Sequence, residues 1–243
     1  MKRKNIKRAS IPVVLIALIS TITYYKNDIE KMINPPKEVV VETLNVNDIP
    51  EYSGSNYVIL NGNIPEFSEY DYKLSENEIY SPLDKLGRAG VALAKVGLDT
   101  MPKEKRGSIG MIKPTGWHTV KYAVVEGKYL YNRCHLIGYQ LTGENANEKN
   151  LITCTRQMNS VGMLEWENKV AEYVKKTKNH VLYRVRPIYI GDNLLASGVV
   201  MEAKSIEDEG KGITFNVYVY NVQDKIEIDY NTGNSKLIKN VKN

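Results

Sequence analysis

Two short segments hold the side chains best suited to chemistry: Tyr131-Asn-Arg-Cys-His-Leu-Ile-Gly138 and Asn150-Leu-Ile-Thr-Cys-Thr-Arg-Gln-Met-Asn159. The first sets Arg133, Cys134 and His135 in a row, and the second carries two asparagines nine residues apart. A histidine with a near-neutral pKa takes a proton from water when one group holds its second ring nitrogen and another holds the electrophile. Arginine offers a forked donor to phosphate oxygens. An amide oxygen is a hard, neutral ligand that suits Mg²⁺, which keeps most of its waters and needs few protein ligands. His135, Arg133 and Asn159 therefore fit metal-assisted hydrolysis of a phosphodiester. Zinc hydrolysis and nucleotide binding have little support, because the His and Cys clusters of a zinc site and a Gly-rich phosphate loop are both missing from the sequence.

Each of these residues also has an ordinary reading. Asn159 stands where a helix begins, and Asn is a favoured N-cap. Glu167 by itself is a solvated helix position. Arg156, Arg184 and Arg186 suit phosphate contacts or plain salt bridges, while His118 and His180 read as surface or packing residues. Cys134 next to His135 suggests a cysteine nucleophile, but strand neighbours point to opposite faces, so the thiol turns away from the imidazole.

The elements that must carry these residues follow from periodicity. Tyr57-Val-Ile-Leu is a strand running into an Asn-Gly turn. The small-residue stretch from Leu83 to Gly97 reads as a loop and short helix, and residues 107–125 as strands around the Pro114-Thr-Gly-Trp117 turn. Met163, Trp166, Val170, Tyr173 and Val174 fall at helical spacing after Asn159. Three strands follow near 181–190, 194–202 and 213–220; in the last, Phe215, Val217 and Val219 alternate with Asn216, Tyr218 and Tyr220. The outcome is an α+β fold, with a strand-loop-strand-helix core inside a mostly antiparallel sheet. Seventeen tyrosines against two phenylalanines suit such a body, with half-exposed aromatic faces.

The net charge of +5 looks like a nucleic-acid signal until it is located. Lys2, Arg3, Lys4, Lys7 and Arg8 account for five charges, and the other 28 basic residues balance 28 acidic ones. Charge is nonetheless uneven: residues 27–80 hold 11 acidic and 3 basic side chains, whereas residues 101–135 hold 7 basic and 2 acidic. That second region contains His135 and suits a polyanion or a solvated face equally. The basic arm 1–8 precedes an uncharged apolar run, 9–25, the layout of a signal anchor or a cleaved signal peptide. No Ala-x-Ala-like site follows, which favours an uncleaved single-pass anchor with the body outside the membrane. A polar, acidic tether with Pro35-Pro36 covers 26–55, and the folded body covers 56–243.

Asn132-Arg133-Cys134-His135 resembles a variant of the Asp-Arg-Gly-His motif of the DNA/RNA non-specific endonucleases, whose core is a ββα-metal (His-Me) finger. Thr155-Arg-Gln-Met-Asn159 and Gly162-Met-Leu-Glu-Trp-Glu167-Asn resemble that family's metal-binding helix, and the likeness runs from about Tyr80 to Asp229, nearest the streptococcal-type membrane-anchored DNA-entry nucleases. The resemblance implies a sequence-non-specific endonuclease acting on DNA, with RNA left open as a second substrate, giving 5′-phosphate ends. It makes His135 the general base, Asn159 the single direct Mg²⁺ ligand with Mn²⁺ as a substitute, and Arg133 a phosphate contact; Arg156 is a further candidate for substrate binding by its residue type alone. Asn150 would orient the histidine loop and Glu167 would hold metal-bound waters. No small-molecule cofactor is implied; the partners are nucleic acid and, through the N-terminal helix, the membrane. DNA uptake, scavenging and degradation of extracellular DNA stay open as roles. Asn132 departs from the family's Asp, and Cys134 stands where a small residue is usual. In an oxidising compartment Cys134 and Cys154 suit a disulfide across the two motif strands, with two buried thiols as the alternative. The rival function is a surface protein that keeps the fold and binds nucleic acid without cleaving it.

Overall fold

The computed structural model describes residues 40–41, 49–74 and 76–239. The basic arm, the apolar anchor and most of the tether lie outside the described residues. Among the described residues no helix is long and apolar enough to cross a membrane.

A seven-stranded sheet forms the centre, in the order β1-β2-β9-β8-β7-β4-β3. Its strands are β1 (Val40–Val41), β2 (Tyr57–Leu60), β3 (Glu78–Tyr80), β4 (Ala92–Val96), β7 (Val181–Ile188), β8 (Gly198–Ser205) and β9 (Thr214–Tyr220). β1 runs parallel to β2, and every other neighbouring pair is antiparallel. The alternation in β9 sorts its side chains between two faces: Phe215, Val217 and Val219 enter the main core, while Tyr218 and Tyr220 join a smaller cluster with Val58, Leu60 and Val200. Tyrosine suits this second role because its hydroxyl reaches a backbone acceptor, as when Tyr220 donates to the Pro50 carbonyl at 2.7 Å.

A separate ribbon of β5 (Tyr131–His135) and β6 (Leu151–Thr155) is antiparallel, with His135 opposite Leu151 and Tyr131 opposite Thr155. Between them lies the one-turn helix α1 (Tyr139–Thr142), and a small ribbon of β10 (Ile226–Ile228) and β11 (Ser235–Leu237) comes later. From β6 the chain turns directly into a π-helical turn, Met158–Met163, that continues as helix α2 (Leu164–Thr177). This helix buries Trp166, Val170, Ala171 and Val174 on the main core, which also takes Cys134, Leu136, Ile152 and Cys154 from the ribbon. Each large apolar side chain so placed contributes about 1.5–3 kcal/mol, enough to fix the ββα unit on the sheet.

Two sequence expectations fail here. Ala92–Val96 is not part of a loop and helix but a buried strand between β3 and β7; Ala92, Ala94 and Val96 are fully covered, which is why small residues occupy it. Residues 107–125 form turns instead of strands, with one bridge between Lys121 and Tyr129.

Candidate active site

His135 ends β5 and is buried to 6% exposure, yet it lines a cleft of about 780 Å³. Its two ring nitrogens are held differently. Nε2 lies 2.8 Å from the Asn145 carbonyl, which can only accept, so Nε2 carries the proton. Nδ1 lies 3.2 Å from Arg106 Nη2, which can only donate, so Nδ1 presents its lone pair. Burial pulls the imidazole below its ordinary pKa; the Asn145 bond opposes this and the Arg106 charge adds to it. The result is a neutral histidine with one basic nitrogen facing the Arg106 guanidinium.

The loop carrying His135 onward is fixed from behind. Asn150 is fully buried; its Oδ1 accepts from Ile137 N at 2.8 Å and its Nδ2 donates to the Ile137 carbonyl at 3.0 Å. Asn150 therefore positions the histidine loop and does not reach the cleft. Cys134 points the other way from His135, into the core, and is joined to Cys154 by a disulfide with Cα atoms 5.9 Å apart.

Asn159 lies in the π-turn and lines the same cleft. It does not cap the helix, because Thr155 Oγ1 accepts from Met158 N at 3.0 Å in that place. Its Oδ1 rests 3.1 Å from Cys134 Sγ, and a disulfide sulfur has no proton to offer. The amide oxygen thus keeps its acceptor capacity for something else. Glu167, two turns on, lines the cleft as well. Its carboxylate packs on Gly138, where an added Cβ would stand 2.5 Å from Oε2, so glycine is needed for the approach. Burial pushes its pKa up to about 7, against a hydrogen bond from Gln140 and the Arg106 charge. An unbonded amide oxygen and a carboxylate that burial penalises, lining one cleft, are a donor set that fits a hard divalent cation.

Arg133 lines the cleft with its guanidinium 3.9 Å over the Trp117 ring. Nη2 donates to the Gly110 carbonyl at 2.9 Å and Nε donates to the Ile112 carbonyl. Two of its five donors thus hold the 110–112 turn, and the rest are left for a ligand. Arg156 also lines the cleft, with Nε 3.3 Å from Glu126 Oε2 in an exposed pair. Asn132 lines it too, and its buried Nδ2 has no partner. The structure therefore gathers His135, Asn159, Glu167, Arg133 and Arg156 around one cavity. His118 and His180 lie elsewhere, bonded to the Thr232 carbonyl and to Glu207. Arg184 is bound to Glu202 and Asp71.

Arg106 is the site residue that sequence reasoning missed. It comes from a loop tied to α1 by Thr100 Oγ1 on the Leu141 carbonyl (3.0 Å) and Tyr139 Oη on the Glu104 carbonyl (2.8 Å). The only sequence signal was the excess of basic residues in 101–135.

Residues 68–207 match the family described as DNA/RNA non-specific endonuclease. The chain belongs to that family, and it is a hydrolytic nuclease. Its fold is also that of NucA from Streptococcus agalactiae in a magnesium-bound form, with a TM-score of 0.68 and 24% identity over 79% of this chain and 93% of that one. The metal-free form of the same protein gives a TM-score of 0.66. Sda1 nuclease with a bound zinc ion is similar at a TM-score of 0.57 and 27% identity, over 76% of this chain and 96% of that one.

Proposed function

We propose that this nuclease is a Mg²⁺-dependent, sequence-non-specific endonuclease of DNA and RNA, with His135 as general base and Asn159 as the metal-holding residue. One observation carries the reading: the proton on His135 Nε2 is committed to the Asn145 carbonyl, so Nδ1 is the basic atom on the cleft shared with Asn159 and Glu167.

In the reaction, water in the cleft gives its proton to His135 Nδ1 as its oxygen forms the new bond to phosphorus. The imidazolium that results is stabilised at Nε2 by the Asn145 carbonyl. Arg106, which donates to Nδ1 in the free chain, moves its donors to the phosphate when substrate arrives, since a guanidinium cannot share a nitrogen that must accept a proton. The free donors of Arg133, and Arg156 once released from Glu126, supply further contacts to the phosphate backbone. The bond broken is the one from phosphorus to the 3′ oxygen, which takes a proton from water in the cleft and leaves as a 3′ hydroxyl, while the other product keeps the 5′-phosphate. Asn159 Oδ1 and Glu167 would hold the cation and its waters. Such a cation, when bound, offsets charge on the phosphoryl oxygens and on the leaving oxygen. Backbone contacts dominate this arrangement, hence the lack of sequence preference.

The N-terminal segment belongs to the same proposal: 9–25 serves as an uncleaved anchor, 26–55 as the tether, and the nuclease body works on the outer side of the membrane. The test is plasmid degradation by the purified chain with Mg²⁺ and with EDTA, beside Asn159→Ala. The proposal expects metal-dependent cleavage that Asn159→Ala lowers together with Mg²⁺ affinity measured by calorimetry. Full activity in EDTA, or Mg²⁺ binding untouched in Asn159→Ala, would overturn it.

A further inference from the structure

One wall of the cleft is not needed for the chemistry just described. Residues 117–131 build it as a short hairpin, closed by Leu130 N on the Val120 carbonyl (3.1 Å) and Tyr122 N on the Lys128 carbonyl (2.9 Å). The hairpin is fixed from behind by Val125, Leu130 and Tyr131, which are 3%, 0% and 4% exposed and pack with Leu195 and Ile226. Against this firm base Tyr129 is 49% exposed while lining the cleft. Tyr131, two residues on, buries its ring and donates its hydroxyl to the Gly233 carbonyl. Among the described residues Tyr129 has no such bond, and its ring stands at the surface of the cleft.

One cation stands over that ring and another lines the same cleft. Lys121 is its bridge partner and sets Nζ 4.5 Å from the ring centroid. Arg156 is bound by its backbone to the neighbouring Leu130 and by its side chain only to exposed Glu126, a pair of low value that a ligand can displace. In the same cleft the Trp117 ring is already covered by Arg133. Tyr129 is thus an exposed aromatic platform with one movable cation, Lys121, over its ring and a second, Arg156, lining the same cleft. This is the pattern that holds a nucleic-acid strand with bases stacked on rings and phosphates on Lys and Arg. A paired base inside a duplex has no free face to stack.

Resting on the nuclease reading above, we propose that Tyr129, with Lys121 over its ring and Arg156 in the same cleft, is a stacking subsite for an unpaired base, giving this nuclease a preference for single-stranded substrate. On binding, Lys121 leaves the ring for a phosphate, and the base takes its place.

The test uses the full chain and fluorescence anisotropy in EDTA, where cleavage plays no part, with a labelled single strand and its duplex. Tyr129→Ala should weaken single-strand binding by roughly 5- to 150-fold, as loss of one stacked base does, and duplex binding by much less. Tyr129→Phe, which keeps the ring, should retain the single-strand affinity. With Mg²⁺ the same difference should appear in KM for the single strand and not in kcat. Equal losses on both forms, or no loss in Tyr129→Ala, overturn the subsite. Failure of the wild type to cleave in Mg²⁺ refutes the nuclease mechanism, and the binding series still decides for or against Tyr129.

Discussion

Replacing Glu167 with glutamine should make the metal-free protein more stable at alkaline pH, although it removes a site residue. Burial raises the Glu167 pKa from the ordinary 4.5 to about 7. The folded state therefore binds a proton that the unfolded chain has already lost, and stability falls as pH rises from about 4.5 to about 7 before levelling off. Each pKa unit is worth about 1.36 kcal/mol, so at pH 8 the ionised carboxylate costs up to about 3 kcal/mol. Glutamine has the same shape and no charge to desolvate. Urea unfolding in EDTA should show Glu167→Gln more stable than the wild type by about 1–3 kcal/mol at pH 8. The gap should close as pH approaches 4.5, where both side chains are neutral. Mg²⁺ should narrow it as well, by stabilising the wild type more than the variant. A variant no more stable than the wild type at pH 8, or one with an equal gain at both ends of the range, would refute a desolvated carboxylate at this place.

Cys134→Ala/Cys154→Ala removes a cross-link between residues 20 apart, which should lower stability by about 3 kcal/mol in urea denaturation. Asn150→Ala leaves Ile137 N–H and C=O buried without partners, so it should cost about 2–4 kcal/mol and lower kcat more than KM. The lowered His135 pKa keeps the base unprotonated to below pH 6.5. In Glu167→Gln, where the second titration is absent, the acid limb of kcat/KM should therefore lie below that value. Arg106→Ala should raise KM for every nucleic acid, since it removes a donor that sequence does not select.

The parts of the fold that write a period into the chain were readable from it. The alternation 215–220 and the helical spacing 163–174 both depend on which face is buried, and residue type reports that directly. β4 was not readable because Ala92 and Ala94 sit under neighbours that leave no room for the branched or aromatic residues that mark strands. Residues 107–125 misled for another reason: the carbonyls of Gly110 and Ile112 serve Arg133 instead of a strand partner. The site was half legible. His135 and Arg133 share a segment, but Arg106 reaches His135 across 29 residues, and no local spacing records that. The cap reading of Asn159 was reasonable on residue type; Thr155, the last residue of β6 and four residues earlier, holds the helix amide instead.

The central claim is that His135 Nδ1 takes the proton from water, and chemical rescue tests it most directly. Plasmid degradation in Mg²⁺ should be lost in His135→Ala and restored in part by added imidazole, with the restored rate following the fraction of neutral imidazole as pH is varied. Undiminished cleavage by His135→Ala would contradict the account.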